Sequence, residues 1–595
     1  MNNAHNVIGA SRLVAALILA GMAASGAQAQ SSNAAPAAAS APGLATAAQA
    51  SSNALNPFPH GRHPSGVGPK VPPAFALDGS DVDKQNGGDK INPNKFLDDT
   101  GPAVDTPYQA PEAATKATLS RTPGAVAAPT FTTTDWPTYG MNRQRTGYNS
   151  VETVLTQTNV GTLTEHWSRH LDGAILTQPV LATGVTIKGV PTDVVYVATE
   201  GNTTWALNAA TGEVIWQSAP IPQAILTSNC TGLFQGKIGV QGTPVIDHAN
   251  NRIFVVSGRG YLHAYDLQTG VDLPGFNLPL LDAANASPTT MVYGGLTLSP
   301  DSSSIYVATA GDPCDTTPYH GQVVRASTTN PAAILQRWYP DGASGPDGGG
   351  IWGVGGVSIP PDGTVVYALT GNAFAIPENA AFAEHVVKLT PTLQVAASNS
   401  PLSPPSTDSD FGATALLFQR PTCPTMLAAY NKSGDLFIYN RATIQRQGPI
   451  EKLTISVSSV EGSNIGLPAF DPVLNRLYVV SPASNNLYQH GVIALSVDSN
   501  CTVNPKPVWT AQVGLDQSSF NPAIPPVAAN GVVYYADGLG NDFYALDAAN
   551  GHVLFHRQYT PVQSGEGNFA SPMVVNGQVF VAGSDHVVHA YGLPP

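Results

Sequence analysis

Three stretches of this chain spell nearly the same turn. Trp205-Ala206-Leu207-Asn208-Ala209-Ala210-Thr211-Gly212 runs on to Glu213-Val214-Ile215-Trp216. Ala264-Tyr265-Asp266-Leu267-Gln268-Thr269-Gly270 repeats it, as does Tyr544-Ala545-Leu546-Asp547-Ala548-Ala549-Asn550-Gly551 ahead of His552-Val553-Leu554-Phe555. Each follows a β-rich run such as Val194-Val195-Tyr196-Val197-Ala198 or Val532-Val533-Tyr534-Tyr535-Ala536. The chemistry is that of a tight hairpin. Asp or Asn hydrogen-bonds within the turn, and Gly takes the positive φ that reverses the chain. The aromatic beyond the turn is then free to pack on a neighbouring unit.

Similar β units begin near Val194, Pro244, Gly295, Gly355, Ala413, Gly466, Asn521 and Ala570. A spacing of about 50 residues is that of four-stranded propeller blades. The predicted fold is therefore an all-β, eight-bladed β-propeller, with seven blades as the alternative count. The last unit ends at Tyr591 without an outer strand. Leu163 to Leu171, containing Trp167, is expected to supply it and close the ring, which removes free sheet edges.

Composition agrees. Charged residues make up 11% of the chain, while Gly (58) and Pro (51) are abundant, which suits short strands and turns. The net charge of -14 would repel phosphate backbones and anionic lipid, so nucleic acid is not an expected partner. Residues 1–29 read as a secretory signal: Arg12, the apolar run Leu13 to Ala24, then Ala27-Gln28-Ala29. That run is too short for a comfortable span of roughly 20 residues, so no membrane span is expected in the mature chain, and the protein is expected to be periplasmic or secreted. Residues 30–130, rich in Ala, Pro and Ser, are expected to be a disordered linker, leaving 131–595 as the propeller. Export makes disulfides reasonable for the four cysteines. Cys230–Cys314 and Cys423–Cys501 is the expected pairing among three connectivities, and no CxxC or CxxCH spacing occurs.

The A-L-D-A-x-T-G-x-x-x-W turns at blade spacing resemble those of the pyrroloquinoline-quinone (PQQ) type, the quinoprotein alcohol dehydrogenase-like β-propeller repeat family, over roughly Trp136 to Pro595. Four further segments resemble that family's site. Gly348-Gly349-Gly350-Ile351-Trp352-Gly353 matches the stretch whose Trp forms the floor under the quinone, so the resemblance implies that Trp352 binds cofactor. Tyr367-Ala368-Leu369-Thr370-Gly371-Asn372 matches a strand end whose Asn carries a Ca²⁺ ligand. Asp408-Ser409-Asp410-Phe411-Gly412 places Asp410 at the catalytic, metal-adjacent Asp. Asn431-Lys432-Ser433-Gly434 places Lys432 beside the quinone oxygens, where a cation stabilises the reduced ring. The plainer alternatives are a packing Trp, a turn Asn, a solvated acidic loop and an exposed lysine. The glycines around Trp352 also spell GxGxxG, but a β run follows instead of a helix, so a dinucleotide site is not indicated.

The departures matter too. The family's Glu metal ligand precedes the segment that here reads Arg259-Gly260-Tyr261-Leu262-His263, and Ser257-Gly258 runs straight into it. Glu200 is a distant candidate to compensate. The vicinal cysteine pair is also missing. The implied function is an exported quinoprotein-like oxidoreductase that oxidises an alcohol or polyol through PQQ and Ca²⁺, passing electrons to a separate acceptor, with a remodelled or degenerate site. The alternative is a non-catalytic envelope propeller that binds a protein or glycan. A propeller lyase or hydrolase with paired carboxylates is a third reading, with no pair to name. No GxSxG elbow and no HExxH helix occurs, and His60 and His63 lie in the linker.

Overall fold

The computed structural model describes residues 133–595, apart from 223–237, 283–288, 313–315, 331–332, 346, 376–380, 402–408, 457–465, 517–522, 538–541, 560–568 and 584. The expected signal peptide and linker lie outside these residues. Eight antiparallel sheets follow one another along the chain. In blade 1 the strands are Val180–Ile187, Val190–Ala198, Thr204–Asn208 and Val214–Gln217, paired in that order. The first strands of later blades begin at Val245, Thr297, Leu416, Ala469, Val527 and Met573. In blade 4 that place is taken by the Ser358–Tyr367 bridge. First strands of successive blades lie against one another, which places them innermost. Apolar side chains fill the spaces between blades, with most strand centres fully buried.

The eight-blade count is borne out, and so is the closure. Thr164–His170 pairs antiparallel with Val587–Gly592 and becomes the outer strand of blade 8. One boundary differs from expectation. Blade 1 begins at Val180, one strand before Val194. That strand is interrupted by a bulge between Ala182 and Val185, with Gly184 at φ 62°, which breaks the alternation that marks a strand in sequence.

The recurrent turns explain how blades lock. Asn208 Oδ1 accepts the N–H of Ala210, Asp266 Oδ1 that of Gln268 and Asp547 Oδ1 that of Ala549. Gly212, Gly270 and Gly551 take φ of 68°, 68° and 77°. A tryptophan from the preceding blade lies on each glycine. A Cβ on Gly212 would sit 2.6 Å from the Trp167 ring; the same holds for Gly270 against Trp216 at 2.5 Å and Gly551 against Trp509 at 2.6 Å. The indole N–H groups then donate to the carbonyls of Ala209, Leu267 and Ala548. Glycine is therefore required twice, for its φ and for the indole's approach.

Ahead of the ring, Trp136 to Asn149 forms a clasp across the inner strands. Trp136 pairs with Leu181 of blade 1, and Pro137 O accepts Ile246 N–H of blade 2. Arg143 Nε donates to Leu298 O of blade 3. Carbonyls of Arg143, Gln144, Thr146 and Gly147 accept N–H groups of Ile359, Leu417, Phe470 and Ala528 in blades 4 to 7. Asn149 Nδ2 reaches Val574 O in blade 8. Innermost strands have one unpaired edge, and the clasp satisfies it in all eight blades. Arg145, fully buried, anchors it through Thr138, Tyr139, Leu296 and Thr297.

Cys423 and Cys501 form a disulfide joining blades 5 and 6, as expected. Cys230 and Cys314 lie outside the described residues. No helix among the described residues is long and apolar enough to cross a membrane.

Candidate functional site

Trp352 and Asp410 sit just ahead of the first strands of blades 4 and 5. Asn372 and Lys432 follow the second strands of the same blades, Val366–Leu369 and Met426–Tyr430. First and second strands run antiparallel, so all four arrive at one end of the ring. Their side chains then meet. Lys432 Nζ lies 2.9 Å from Asp410 Oδ2, with both side chains about 5% exposed (5% and 4%). Asn372 N–H donates to Asp410 Oδ1. Lys432 N–H also donates to Asp410 O at 2.9 Å within blade 5, while the Asn372 bond ties blade 4 to blade 5.

Two glycines allow this approach. A Cβ on Gly371 would lie 2.6 Å from Asp410 Oδ1 and 2.7 Å from Trp352 Nε1, and one on Gly350 would lie 2.7 Å from the same Nε1. Gly371 N–H donates to Gly350 O, and Gly349 N–H to Asn372 O. The indole of Trp352 is thereby held beside the carboxylate. It is half-buried, flanked by Tyr293 (5.5 Å, 48°) and Tyr319 (6.2 Å, 78°), neither of which lies parallel to it. The tyrosines and Gly371 escaped the sequence reading: the glycine stands inside a quoted motif, and the tyrosines carry no repeat signal.

All four sequence-predicted residues are thus brought together. Asp410 and Lys432 are buried and paired, so a solvated loop and an exposed lysine do not describe them, while Trp352 also packs against the core as a packing Trp would. Asp408 lies outside the described residues. Glu200 is on blade 1, where its carboxylate accepts Gly239 N–H at 3.2 Å and Gln241 Nε2 at 2.8 Å.

The donor set can be tested against each implied group. For a flat, polyanionic quinone it fits: a half-buried indole that Tyr293 and Tyr319 meet tilted and edge-on, an ammonium at the same end, and unanswered polar atoms there among the described residues. Asn372 Oδ1 is a buried acceptor without a partner, and Arg259 Nη1, on the equivalent turn of blade 2, is a buried donor without one. For Ca²⁺ it does not fit. The ion takes six to eight oxygens, and here one carboxylate is already paired to an ammonium. No group of three or more His, Cys, Asp or Glu that could hold a metal occurs among the described residues.

Behind the glycine loop lies a second charged cluster. His320 Nδ1 is 3.1 Å from Asp341 Oδ2, and His320 Nε2 is 3.8 Å from Asp347 Oδ1. Burial pushes the Asp341 carboxyl up to about 7, against the hydrogen bond from His320. Burial also opposes the His320 imidazolium, but the hydrogen bond and charge of Asp341 outweigh it and raise its pKa.

Residues 136–278 match the PQQ family model, described as the beta-propeller domain of glucose/ethanol/alcohol dehydrogenase. No curated protein matches the chain in sequence. Among solved structures, quinohemoprotein alcohol dehydrogenase from Comamonas testosteroni is similar at 15% identity and TM-score 0.55, covering 77% of this chain and 80% of that one. A quinohemoprotein alcohol dehydrogenase from Pseudomonas putida HK5 is similar at 14% identity and TM-score 0.55, with the same coverage. A europium-containing methanol dehydrogenase is similar at 15% identity and TM-score 0.56, covering 77% of this chain and 98% of that one. At these identities the likeness is one of fold. The folded part of this chain is thus an eight-bladed β-propeller, similar to the PQQ-type propellers over residues 136–278 and sharing its ring fold with these dehydrogenases.

Proposed function

We propose that this protein is an exported quinoprotein-like oxidoreductase acting on an alcohol or polyol, with electrons leaving to a separate acceptor. The observation that carries it is the convergence of Trp352, Asn372, Asp410 and Lys432 from two blades onto one end of the ring. Export is supported by the leader-like first 29 residues and is consistent with the Cys423–Cys501 disulfide.

In this reading Trp352 supports the flat cofactor and Lys432 supplies fixed positive charge near its oxygens. Bound PQQ would supply an electrophilic carbonyl carbon able to accept hydride. Asp410 is the site carboxylate that takes the alcohol's hydroxyl proton in this reading, its orientation fixed from both oxygens by Lys432 and Asn372. Tyr293 and Tyr319 narrow the approach to the indole edge and help exclude water.

The competing reading is an envelope propeller that binds a protein or glycan, with a decayed site. The loss of the family's Glu favours it; the retained buried Lys432–Asp410 pair speaks against it, since a buried pair without a role is costly to keep. The deciding experiment is a screen of alcohols and polyols with PQQ-loaded protein and an artificial dye acceptor. Turnover that disappears in Asp410→Asn supports the oxidoreductase. Bound PQQ with no turnover on any alcohol would refute the substrate class.

A further inference from the structure

The Ca²⁺ ligand set implied by the resemblance is incomplete here for a structural reason that goes beyond one missing residue. The Glu would belong beside Ser257-Gly258. Gly258 is packed so closely that a Cβ would lie 2.5 Å from Gly239 O, 2.9 Å from Ile238 Cγ2 and 3.0 Å from Ile238 O. Two of these three contacts are backbone atoms, so a side chain at this position is not accommodated. Ser257 is fully buried and its hydroxyl accepts Tyr261 N–H, closing the turn tightly. Gly258 itself therefore cannot be replaced by the missing Glu.

Among the described residues, the nearby carboxylates are already engaged by hydrogen bonds. Glu200, on blade 1, accepts from Gly239 and Gln241. Glu384 is fully buried, with Oε1 accepting Ser409 N–H. Of the matched set, Asp410 has one oxygen on Lys432 and the other on Asn372 N–H. Asn372 Oδ1 is a buried acceptor without a hydrogen-bond partner among the described residues, and it is a single neutral oxygen. A divalent cation brought to it would face a buried ammonium on the neighbouring carboxylate, with little water to screen the repulsion.

From this geometry we infer that the site is charge-balanced by the Lys432 ammonium in place of a divalent metal, and takes its organic ligand without one. Lys432 neutralises Asp410 and presents positive charge to the ligand. Asn372 Oδ1 is left to accept a hydrogen bond from the ligand's hydroxyl or N–H. The ligand half of this inference rests on the quinone reading above; the cation half does not.

The test uses the full chain. Thermal melts of the wild type in excess EDTA and in excess Ca²⁺ should coincide, and Tb³⁺ should give no saturable luminescence that Asn372→Ala removes. Lys432→Met should melt lower in both buffers, with Lys432→Arg recovering most of the loss and Ca²⁺ recovering none. A Ca²⁺-dependent rise in the wild-type melt that Asn372→Ala abolishes would overturn the inference, and it does so even if Lys432→Met fails to fold. PQQ is then titrated in both buffers by its absorbance. Equal affinity supports metal-free binding, and a Ca²⁺ requirement overturns it. Absence of binding in both buffers refutes the quinone reading, while the melts still decide the question of the cation.

Discussion

Replacing Trp167 by Ala should open the ring at its seam. Trp167 stands on Thr164–His170, the strand that leaves the start of the ring to complete blade 8. Its indole is 9% exposed, packs on Gly212 of blade 1, and donates to Ala209 O at 2.9 Å. Truncating a buried aromatic to Ala costs about 3–5 kcal/mol through lost burial and the cavity left behind. The orphaned Ala209 carbonyl adds about 1 kcal/mol where water cannot reach it. Trp216 makes the same contacts with Gly270 and Leu267 O, but between blades whose strands are contiguous in sequence. Trp216→Ala should therefore cost a similar amount in guanidinium denaturation. The difference should appear in amide hydrogen exchange: Trp167→Ala should release Thr164–His170 and Val587–Gly592 by local opening, well before global unfolding. A loss below about 1 kcal/mol for Trp167→Ala would refute the reasoning, given its burial. So would equal exchange at the seam in both variants.

Three further outcomes follow from the same contacts. Asp410→Asn should cost about 3–5 kcal/mol, because it breaks a buried ion pair by removing one partner, and the double variant Asp410→Asn/Lys432→Met should cost less than the two singles summed; chemical denaturation of all three proteins checks this. Reducing Cys423–Cys501, whose cysteines are 78 residues apart, should lower stability by up to about 4.5 kcal/mol on the loop-entropy scale, read from melts with and without reductant. The Asp341 carboxyl, raised by burial, binds a proton more tightly folded than unfolded, so its contribution falls as pH rises from its unfolded value of 3.8 toward about 7. His320, also raised, loses its contribution in the same sense as pH rises past 6.5. Denaturation at about pH 5 and about pH 8 should thus show Asp341→Asn gaining on the wild type at the higher pH; an unchanged difference would contradict it.

The ring was legible because its signals are local and repeated. Asn208 or Asp266 with Gly212 or Gly270 write a turn that can be read in one dimension, and Trp167 ahead of blade 1 announces an outer strand without a sheet of its own. The first strand of blade 1 was missed because Gly184 and its bulge break the alternation. The clasp left no trace, since most of its bonds to the blades use backbone groups that any sequence possesses. At the site, the four side chains were readable from segments resembling known ones. What sets their geometry is the bare backbone of Gly371 and Gly350, which lets Trp352 and Asp410 close on each other. The missing Glu could be read as a gap. That Gly258 is pressed against Gly239 emerges only when the first and second strands of blade 2 are paired.

The central claim is that the end of the ring bearing Trp352 and Lys432 binds PQQ. Titration of the mature protein with PQQ, followed by quinone absorbance, tests it most directly. The account predicts saturable binding that is lost in Trp352→Ala and weakened in Lys432→Met, with both variants retaining the wild-type β-sheet circular dichroism. No saturable binding in the wild type, or binding indifferent to both substitutions, would contradict it.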